Sequence, residues 1–120
     1  MLGIFIPAQA YNIEMKNYDE PLYRTVGEDV DGYIEIVHIE LGNFKDLVLV
    51  VNDEGLLRNL PCNDVASFLY GHYIAGNAVL MREGFNEDGE PDIIGISENE
   101  VFDIFLEMLN KTATGEVEDV

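Results

Sequence analysis

The sequence predicts an α+β domain, in which a small mixed or mostly antiparallel sheet is packed by two or three helices. Short segments with alternating or continuous apolar residues are typical of strands. Residues that cap helices or form turns separate these segments, and a longer helical pattern lies near the C-terminal end. A chain of 120 residues with 48% hydrophobic residues is sufficient for one packed core.

Six segments have the patterns of strands. In the third, Ile34, Ile36 and His38 form the expected core face. The fourth is a continuous aliphatic run, typical of a central strand that is buried on both sides. Gly76 is expected to mark a bulge or a close approach in the fifth. The predicted strands are Leu2–Ile6, 11–16, 33–39, 47–51, 73–82 and 92–96.

The first half of the chain carries one helical signal and one clear turn. Pro21 stands near a first helical position and Gly27 follows, which predicts a helix of one to two turns between them. The residues Asn-Asp-Glu-Gly at 52–55 are typical of a turn, and Gly55 is expected to adopt a positive φ there.

The second half carries two helical signals. Asn63 is a candidate N-cap for a short helix over Asp64–Tyr70, which Gly71 ends. Ser97 and Glu100 form the capping pattern S-x-x-E in front of an amphipathic C-terminal helix. The apolar residues expected to face the core are Val101, Ile104, Phe105, Met108 and Leu109.

The chain is expected to form a single domain over residues 1–111, followed by an acidic flexible tail over residues 112–120. The N-terminal segment lacks the basic region of a signal peptide, and no apolar run reaches the roughly 18 to 20 residues of a membrane span. Cys62 is the single cysteine, so no internal disulfide can form and a reducing compartment is favoured. These features predict a cytoplasmic protein.

The charge is the most unusual property of the sequence. It contains 24 Asp and Glu against 6 Lys and Arg, a formal net charge of −18. Such a protein repels nucleic acid and anionic membranes and attracts basic partners. Salt adaptation is one explanation, but eleven Ile and ten Asn argue against it. General solubility and an acidic surface aimed at a basic protein are the other two.

Three groups of carboxylates are candidates for a partner-binding surface. One lies around the loop before the last strand, one along the C-terminal helix and one in the tail. The helix face has a single sign of charge, although mixed Glu and Lys would stabilise the helix better. The candidates are Glu83, Glu87, Asp88, Glu90 and Asp92; Glu100, Asp103 and Glu107; and Glu116, Glu118 and Asp119.

Several short motifs occur in an order that resembles a known family. They are Val-Gly at 26–27, Gly-Tyr-Ile-Glu-Ile-Val at 32–37, Val-Asn-Asp-Glu-Gly at 51–55, Leu-Pro-Cys-Asn at 60–63 and Ile-Ala-Gly-Asn-Ala-Val at 74–79. Together they resemble domain of unknown function family 3846, small proteins of phages and bacterial mobile elements, over roughly residues 20–110. The resemblance implies a phage-linked, cytoplasmic setting and no particular activity.

Patterns for catalysis or metal binding are weak. Cys62 could act as a nucleophile with a His and an Asp, but no spacing requires it. The acidic loop at 86–92 lacks the residue order of a calcium loop. We therefore expect no catalytic residue, no metal and no cofactor. Tyr70, His72 and Tyr73 are a candidate edge for stacking a base, with a core rim as the alternative.

These observations predict a non-enzymatic, phage-type protein that binds and inhibits a basic, nucleic-acid-binding host protein. It would act as a DNA mimic of the anti-restriction or anti-CRISPR kind, with carboxylates in place of phosphates. Two alternatives stay open, namely a protein that sequesters a small molecule or nucleotide signal, and an interaction module without mimicry. A nucleotide site would require Arg24, Arg58 and Arg82 to come together. The oligomeric state is left open.

Overall fold

The structure is a computed structural model that describes residues 1–9 and 12–118, with side chains as far as residue 112. It confirms the predicted α+β class. A single 3₁₀ turn at Glu98–Glu100 leads into the last helix. The elements are β1 Leu2–Ile6, β2 Glu14–Asn17, α1 Leu22–Val30, β3 Ile34–His38, β4 Leu47–Asn52, α2 Asp64–Tyr70, β5 Ala78–Phe85, β6 Pro91–Ile94 and α3 Val101–Glu118.

The strands form one sheet in the order β2-β1-β5-β4-β3, and every described pair is antiparallel. β5 pairs with β1 through its first half and with β6 through its second half, so β1 and β6 lie end to end along the same side of β5. In the centre of the sheet, Val50 lies between Ile36 of β3 and Val79 of β5.

The sheet buries residues on both of its faces. On β4, Leu47, Leu49 and Val51 pack towards α2 and α3, whereas Val48 and Val50 pack towards α1. Each face carries its own hydrophobic cluster, so the apolar residues are divided into two layers of core. β4 is buried along its whole length, as its continuous aliphatic run predicts.

The second helix begins and ends where the sequence predicts. The side chain of Asn63 accepts a hydrogen bond from the backbone N–H of Ala66 at 3.0 Å, which caps the first turn of α2. Gly71 adopts a left-handed conformation with φ 88° directly after the helix. The local cap and stop residues are sufficient to set these bounds.

The first helix is longer than predicted. Gly27 lies buried inside α1, and the helix ends at Asp31, a non-glycine residue in the left-handed conformation with φ 66°. A Cβ atom at Gly27 would lie 2.9 Å from the carbonyl oxygen of Gly32. Gly27 therefore lets the following turn pack against the helix and does not end it.

The expected core face of β3 is mostly uncovered. Ile34 is half-buried against the α1-side cluster, but Ile36 is 42% exposed and His38 is exposed. Helix α1 packs over the beginning of this edge strand and leaves the rest of the face open. The expectation that Ile36 and His38 belong to the core is therefore wrong.

Gly55 and Gly76 both permit close contacts, which the sequence predicts for Gly76 but not for Gly55. Gly55 does not take a positive φ; in the same loop Asn59 does, with φ 53°. A Cβ atom at Gly55 would lie 2.6 Å from the carbonyl oxygen of Ala75, so this glycine permits a close approach of two backbone segments. Gly76 has φ 92° and stands just before β5. A Cβ atom there would lie 2.9 Å from Cδ1 of Leu60, so the predicted close approach is confirmed, whereas a bulge within the strand is not found.

Helix α3 extends beyond its predicted end. Its backbone continues over residues 112–118, where the sequence predicted a tail. The core side consists of Val101, Ile104 and Met108, and the half-buried Phe105 packs against it, as predicted. Leu109 is 65% exposed, contrary to the prediction. Asp119 lies outside the described residues. None of the helices in the described part is long and apolar enough to cross a membrane.

Candidate functional site

The three acidic residues predicted on the C-terminal helix differ in their exposure and in their contacts with other side chains. The carboxylate of Glu100 accepts a hydrogen bond from the guanidinium of Arg82. Glu107 is half-buried, and a Cβ atom at Gly42 would collide with its carboxylate. Asp103 is exposed. The structure therefore does not present these residues as one uniform acidic stripe. Glu116 and Glu118 belong to the helical backbone, but their side chains lie outside the described part.

The acidic loop between β5 and β6 is a well-formed hairpin turn. The side-chain oxygen of Asn86 accepts hydrogen bonds from the backbone N–H groups of Asp88 and Glu90, each at 3.0 Å. The backbone N–H of Asn86 donates to the carbonyl of Glu90, which leaves residues 87–89 as a three-residue loop. Gly89 takes the left-handed conformation, with φ 77°, that such a loop requires. The loop thus holds its own backbone, and the carboxylates of Glu87, Asp88 and Glu90 are exposed.

A concave region lies on the α1-side face of the sheet, between the beginning of α1 and β6. Its volume is about 570 Å³, and we call it the sheet groove. Among the described residues that line it, there is no Lys or Arg. An apolar floor with a few polar groups at the rim is typical of binding sites. The floor contains Ile34, Ile36 and Ile93, and the acidic rim contains Glu20, Glu83 and Asp92.

His38 crosses the floor of the sheet groove to reach Glu83. Its Nε2 lies 2.5 Å from Oε2 of Glu83, although β4 separates their two strands. The pair passes over Val48, which lies opposite His38 in the β3–β4 register. In the sequence Glu83 belongs to the acidic loop, whereas its neighbours in the groove, His38, Ile36 and Glu20, come from distant segments. Nothing in the local sequence signals this arrangement, because it depends on the strand order.

Most of the few cationic side chains are bound within the chain. Lys16 pairs with Asp29 at 2.7 Å, and Arg58 pairs with Asp31 at 2.9 Å. The other two engaged side chains are Arg82, which binds Asp46 and Glu100, and Lys111, which donates to the backbone carbonyls of Glu40 and Leu69. Four of the six Lys and Arg residues are thereby engaged, and the exposed carboxylates of the sheet groove and the hairpin turn remain largely uncompensated.

The three aromatic residues predicted as a ligand edge are placed in two environments. The ring of Tyr70 meets the ring of His72 edge-on, with 5.3 Å between the centroids, and Tyr70 packs against the core. Tyr73 is 55% exposed and lines a different pocket of about 290 Å³, together with Leu56 and Leu57. A single stacking surface would need all three rings on one side, so the structure does not bring these residues together as one ligand edge.

Asparagines of the motifs that carry the family resemblance hold loops together. Asn52 donates to the backbone carbonyl of Asp31, and Asn77 donates to that of Asp29, each at 3.0 Å. Both bonds fasten the end of α1 to the sheet. Asn63 is a buried cap with two further bonds to backbone carbonyls. These motif residues therefore have a structural explanation.

Groups with catalytic chemistry are dispersed. The thiol of Cys62 donates to Asp64 at 3.5 Å, whereas His38 is bound to Glu83 and His72 packs on a tyrosine. No group of three or more His, Cys, Asp and Glu that could hold a metal ion occurs within the described residues. The arrangement that the structure does assemble is an apolar floor with an acidic rim.

Comparisons with known proteins place the chain in a family. The crystal structure of the small RNA methyltransferase HEN1 resembles this fold with a TM-score of 0.60 at 17% sequence identity, over 86% of this chain and 15% of that chain. At this identity the similarity concerns the fold alone. No curated protein matches the sequence significantly. The family model for the domain of unknown function DUF3846 matches residues 3–109, which include all the motifs described above, and the chain therefore belongs to this family.

Proposed function

We propose that this protein is a non-enzymatic binding protein whose acidic surface binds a basic, nucleic-acid-binding protein and competes with nucleic acid for it. The observation that carries the proposal is the separation of charge. Carboxylates line the sheet groove and the hairpin turn, whereas four of the six cationic side chains form ion pairs or hydrogen bonds with other groups of the chain. With a net charge of −18, such a surface attracts cationic groups and repels phosphates.

Competition would follow from the chemistry of the contacts. Arginine and lysine side chains that contact phosphates also form short, charge-assisted hydrogen bonds with carboxylates. The hairpin carboxylates and the groove rim are the better candidates for these contacts, because Glu100, in the 3₁₀ turn before α3, already binds Arg82. The family resemblance supports a phage or mobile-element origin, so the partner we propose is a host protein in the cytoplasm.

The test is an affinity experiment on the whole protein across a salt series. Tagged protein captures partners from a host lysate, and each captured protein is then purified and assayed for nucleic-acid binding with and without the acidic protein. We expect to capture a basic protein whose bound fraction falls steeply as salt rises. The reason is that the Debye screening length falls from about 10 Å at 0.1 M to about 3 Å at 1 M ionic strength. We also expect its nucleic-acid binding to be inhibited.

A triple charge reversal locates the surface. Replacing Glu87, Glu90 and Asp92 by Lys should weaken partner binding by at least about tenfold, equal to about 1.4 kcal/mol. All three are exposed, Glu87 and Glu90 in the hairpin turn and Asp92 on the rim of the sheet groove. Affinity is measured by calorimetry with the purified partner.

The matched control carries the same change of charge on other parts of the surface. Glu14, Glu28 and Glu54 are exposed and become Lys in the control, so both variants have the same net charge. An equal loss of affinity in both would mean that net charge alone acts, and capture of no basic protein at any salt concentration would contradict the proposed function.

A nucleotide ligand is the second candidate, because the sheet groove has the volume of a small-molecule site. Its three rim carboxylates disfavour a phosphate group there, since no Lys or Arg lines the described part of the groove. We expect no thermal shift across a panel of nucleotides. A clear shift with one of them would favour this candidate over the first.

A further inference from the structure

The edge strand β3 has backbone groups that no other described strand uses. In the antiparallel pairing with β4, the carbonyl of Tyr33 accepts from Asp53 at 3.0 Å and the N–H of Ile39 donates to Leu47 at 3.2 Å. Hydrogen-bonded pairs alternate along such a ladder, so the odd-numbered residues of β3 bond to β4. The N–H and C=O groups of the even-numbered residues lie in the plane of the sheet and point away from β4, towards solvent. These residues are Ile34, Ile36 and His38.

Acidic side chains flank this free edge on both faces of the sheet. Glu35 is exposed on the face towards α2 and α3, where it lines the pocket that contains Tyr73. On the opposite face, Ile36 is 42% exposed beside the carboxylates of the sheet groove. An unpaired strand edge is a template for another strand, and its surroundings here select for positive charge.

We propose that a basic, extended segment of the partner adds to the free edge of β3 as a further strand of the sheet. Alternate apolar side chains of the segment pack on Ile36 in the sheet groove, and the Lys or Arg side chains between them lie beside Glu35. Directly opposed side chains on adjacent strands are about 5 Å apart at Cβ, which suits an ion pair. The positive charge of the segment rests on the proposed function, whereas the free edge of β3 is observed in the structure independently of it.

Two other pairings fit the charges less well. A second copy of this chain would bring a further net charge of −18 against the same edge. The opposite edge of the sheet, β2, carries Lys16, which crosses over the rings of Phe5 and Tyr18 and pairs with Asp29. A basic strand is therefore favoured at β3 over β2, and a partner strand over a second copy.

The first experiment uses synthetic peptides and the isotope-labelled full chain. The probe is a capped peptide of about eight residues in which Arg and Val alternate. Its control has the same sequence with backbone N-methyl groups on the edge that pairs. We expect the alternating peptide to shift the amide signals of Ile34, Ile36 and His38 and to slow their hydrogen exchange. The N-methylated control should bind at least about tenfold more weakly, because it lacks the donors.

The second experiment changes the edge itself. Ile36→Pro removes an outward N–H and leaves the bonds to β4, since proline is tolerated on edge strands where its nitrogen faces solvent. We expect at least about tenfold weaker peptide binding for Ile36→Pro and about threefold for Ile36→Ala, which keeps the N–H. The matched control is Met15→Pro on β2, whose N–H also faces outward in the register, and it should bind normally.

The outcomes separate this inference from the proposed function. Equal binding of the alternating and the N-methylated peptides to the native protein would overturn strand addition, even if a basic partner is captured in a salt-dependent way. Dimerisation through β3, seen by sedimentation as a mass of two chains that Ile36→Pro abolishes, would overturn it in favour of a second copy. If Ile36→Pro fails to fold by circular dichroism, the comparison of the two peptides on the native chain decides.

Discussion

Replacing Asn63 by alanine is expected to lower the free energy of unfolding by about 3 kcal/mol. The side chain is 1% exposed and makes three hydrogen bonds. It caps α2, and its amide donates to the carbonyls of Ile6 and Gly76, each at 2.9 Å. Alanine loses the cap and removes one hydrogen-bond donor from each of these two carbonyls. Urea unfolding followed by far-ultraviolet circular dichroism should show a midpoint lower by about 1.5 M, for a dependence of about 2 kcal/mol per M.

Two further variants separate the cap from the bonds to the carbonyls. Asn63→Asp keeps the capping oxygen but loses both donors and buries a charge, so it should be at least as destabilising as Asn63→Ala. Asn99→Ala, at an exposed position, should change stability by less than about 0.5 kcal/mol. If Asn63→Ala costs less than about 1 kcal/mol, water replaces the side chain and the long-range bonds contribute little.

Asn63 also shows what the sequence could and could not predict. Its capping bond to Ala66 joins residues three apart, so the local pattern was enough to predict it. The bond to Ile6 joins residues 57 positions apart, and it depends on which strand lies beside the helix. Local chemistry predicted the bounds of α2 correctly, and only the tertiary structure revealed the second role of its cap.

The errors in β3 and α1 have one physical reason in common. The alternation of β3 correctly places Ile34, Ile36 and His38 on one face, but alternation does not say how far a helix covers that face. The local pattern predicts Gly27 as a helix end. The close approach of the later turn, which is the reason for a glycine at this position, leaves no signal in the local sequence. Both questions concern contacts between elements, to which a sequence pattern is insensitive.

The candidate site was predictable in part. The acidic loop before the last strand was identified from composition, and it forms an exposed hairpin turn. The sheet groove was not identified, because Glu20, His38 and Glu83 come from segments that are far apart in the chain. Likewise, periodicity predicts Glu100 on the outer face of the C-terminal helix, but Glu100 lies in the 3₁₀ turn before α3, and its contact with Arg82 appears only in the folded chain.

The pH dependence of stability provides a second large effect, at Tyr18. Burial, followed by the hydrogen bond to Asp29 and the charge of that carboxylate, raises the pKa of Tyr18 well above its ordinary value near 10. The native state therefore holds the phenol proton when the unfolded state releases it. This contribution is complete below the ordinary pKa and is lost as pH rises above it, at about 1.4 kcal/mol per pH unit. Between pH 10.5 and 12 the native protein should lose about 2 kcal/mol from Tyr18 alone.

Substitution by phenylalanine isolates this effect from the other groups that titrate in alkali. Tyr18→Phe removes the phenol, while Lys16 still pairs with Asp29 at 2.7 Å and keeps that carboxylate satisfied. At neutral pH the variant should be less stable by about 1 to 2 kcal/mol, through loss of the bond to a charged acceptor. Its stability should then fall less steeply above pH 10, whereas Tyr33→Phe, at an 80% exposed site, should behave like the native protein. Parallel alkaline unfolding curves for the native protein and Tyr18→Phe would mean that Tyr18 ionises as readily in the folded state as in the unfolded state.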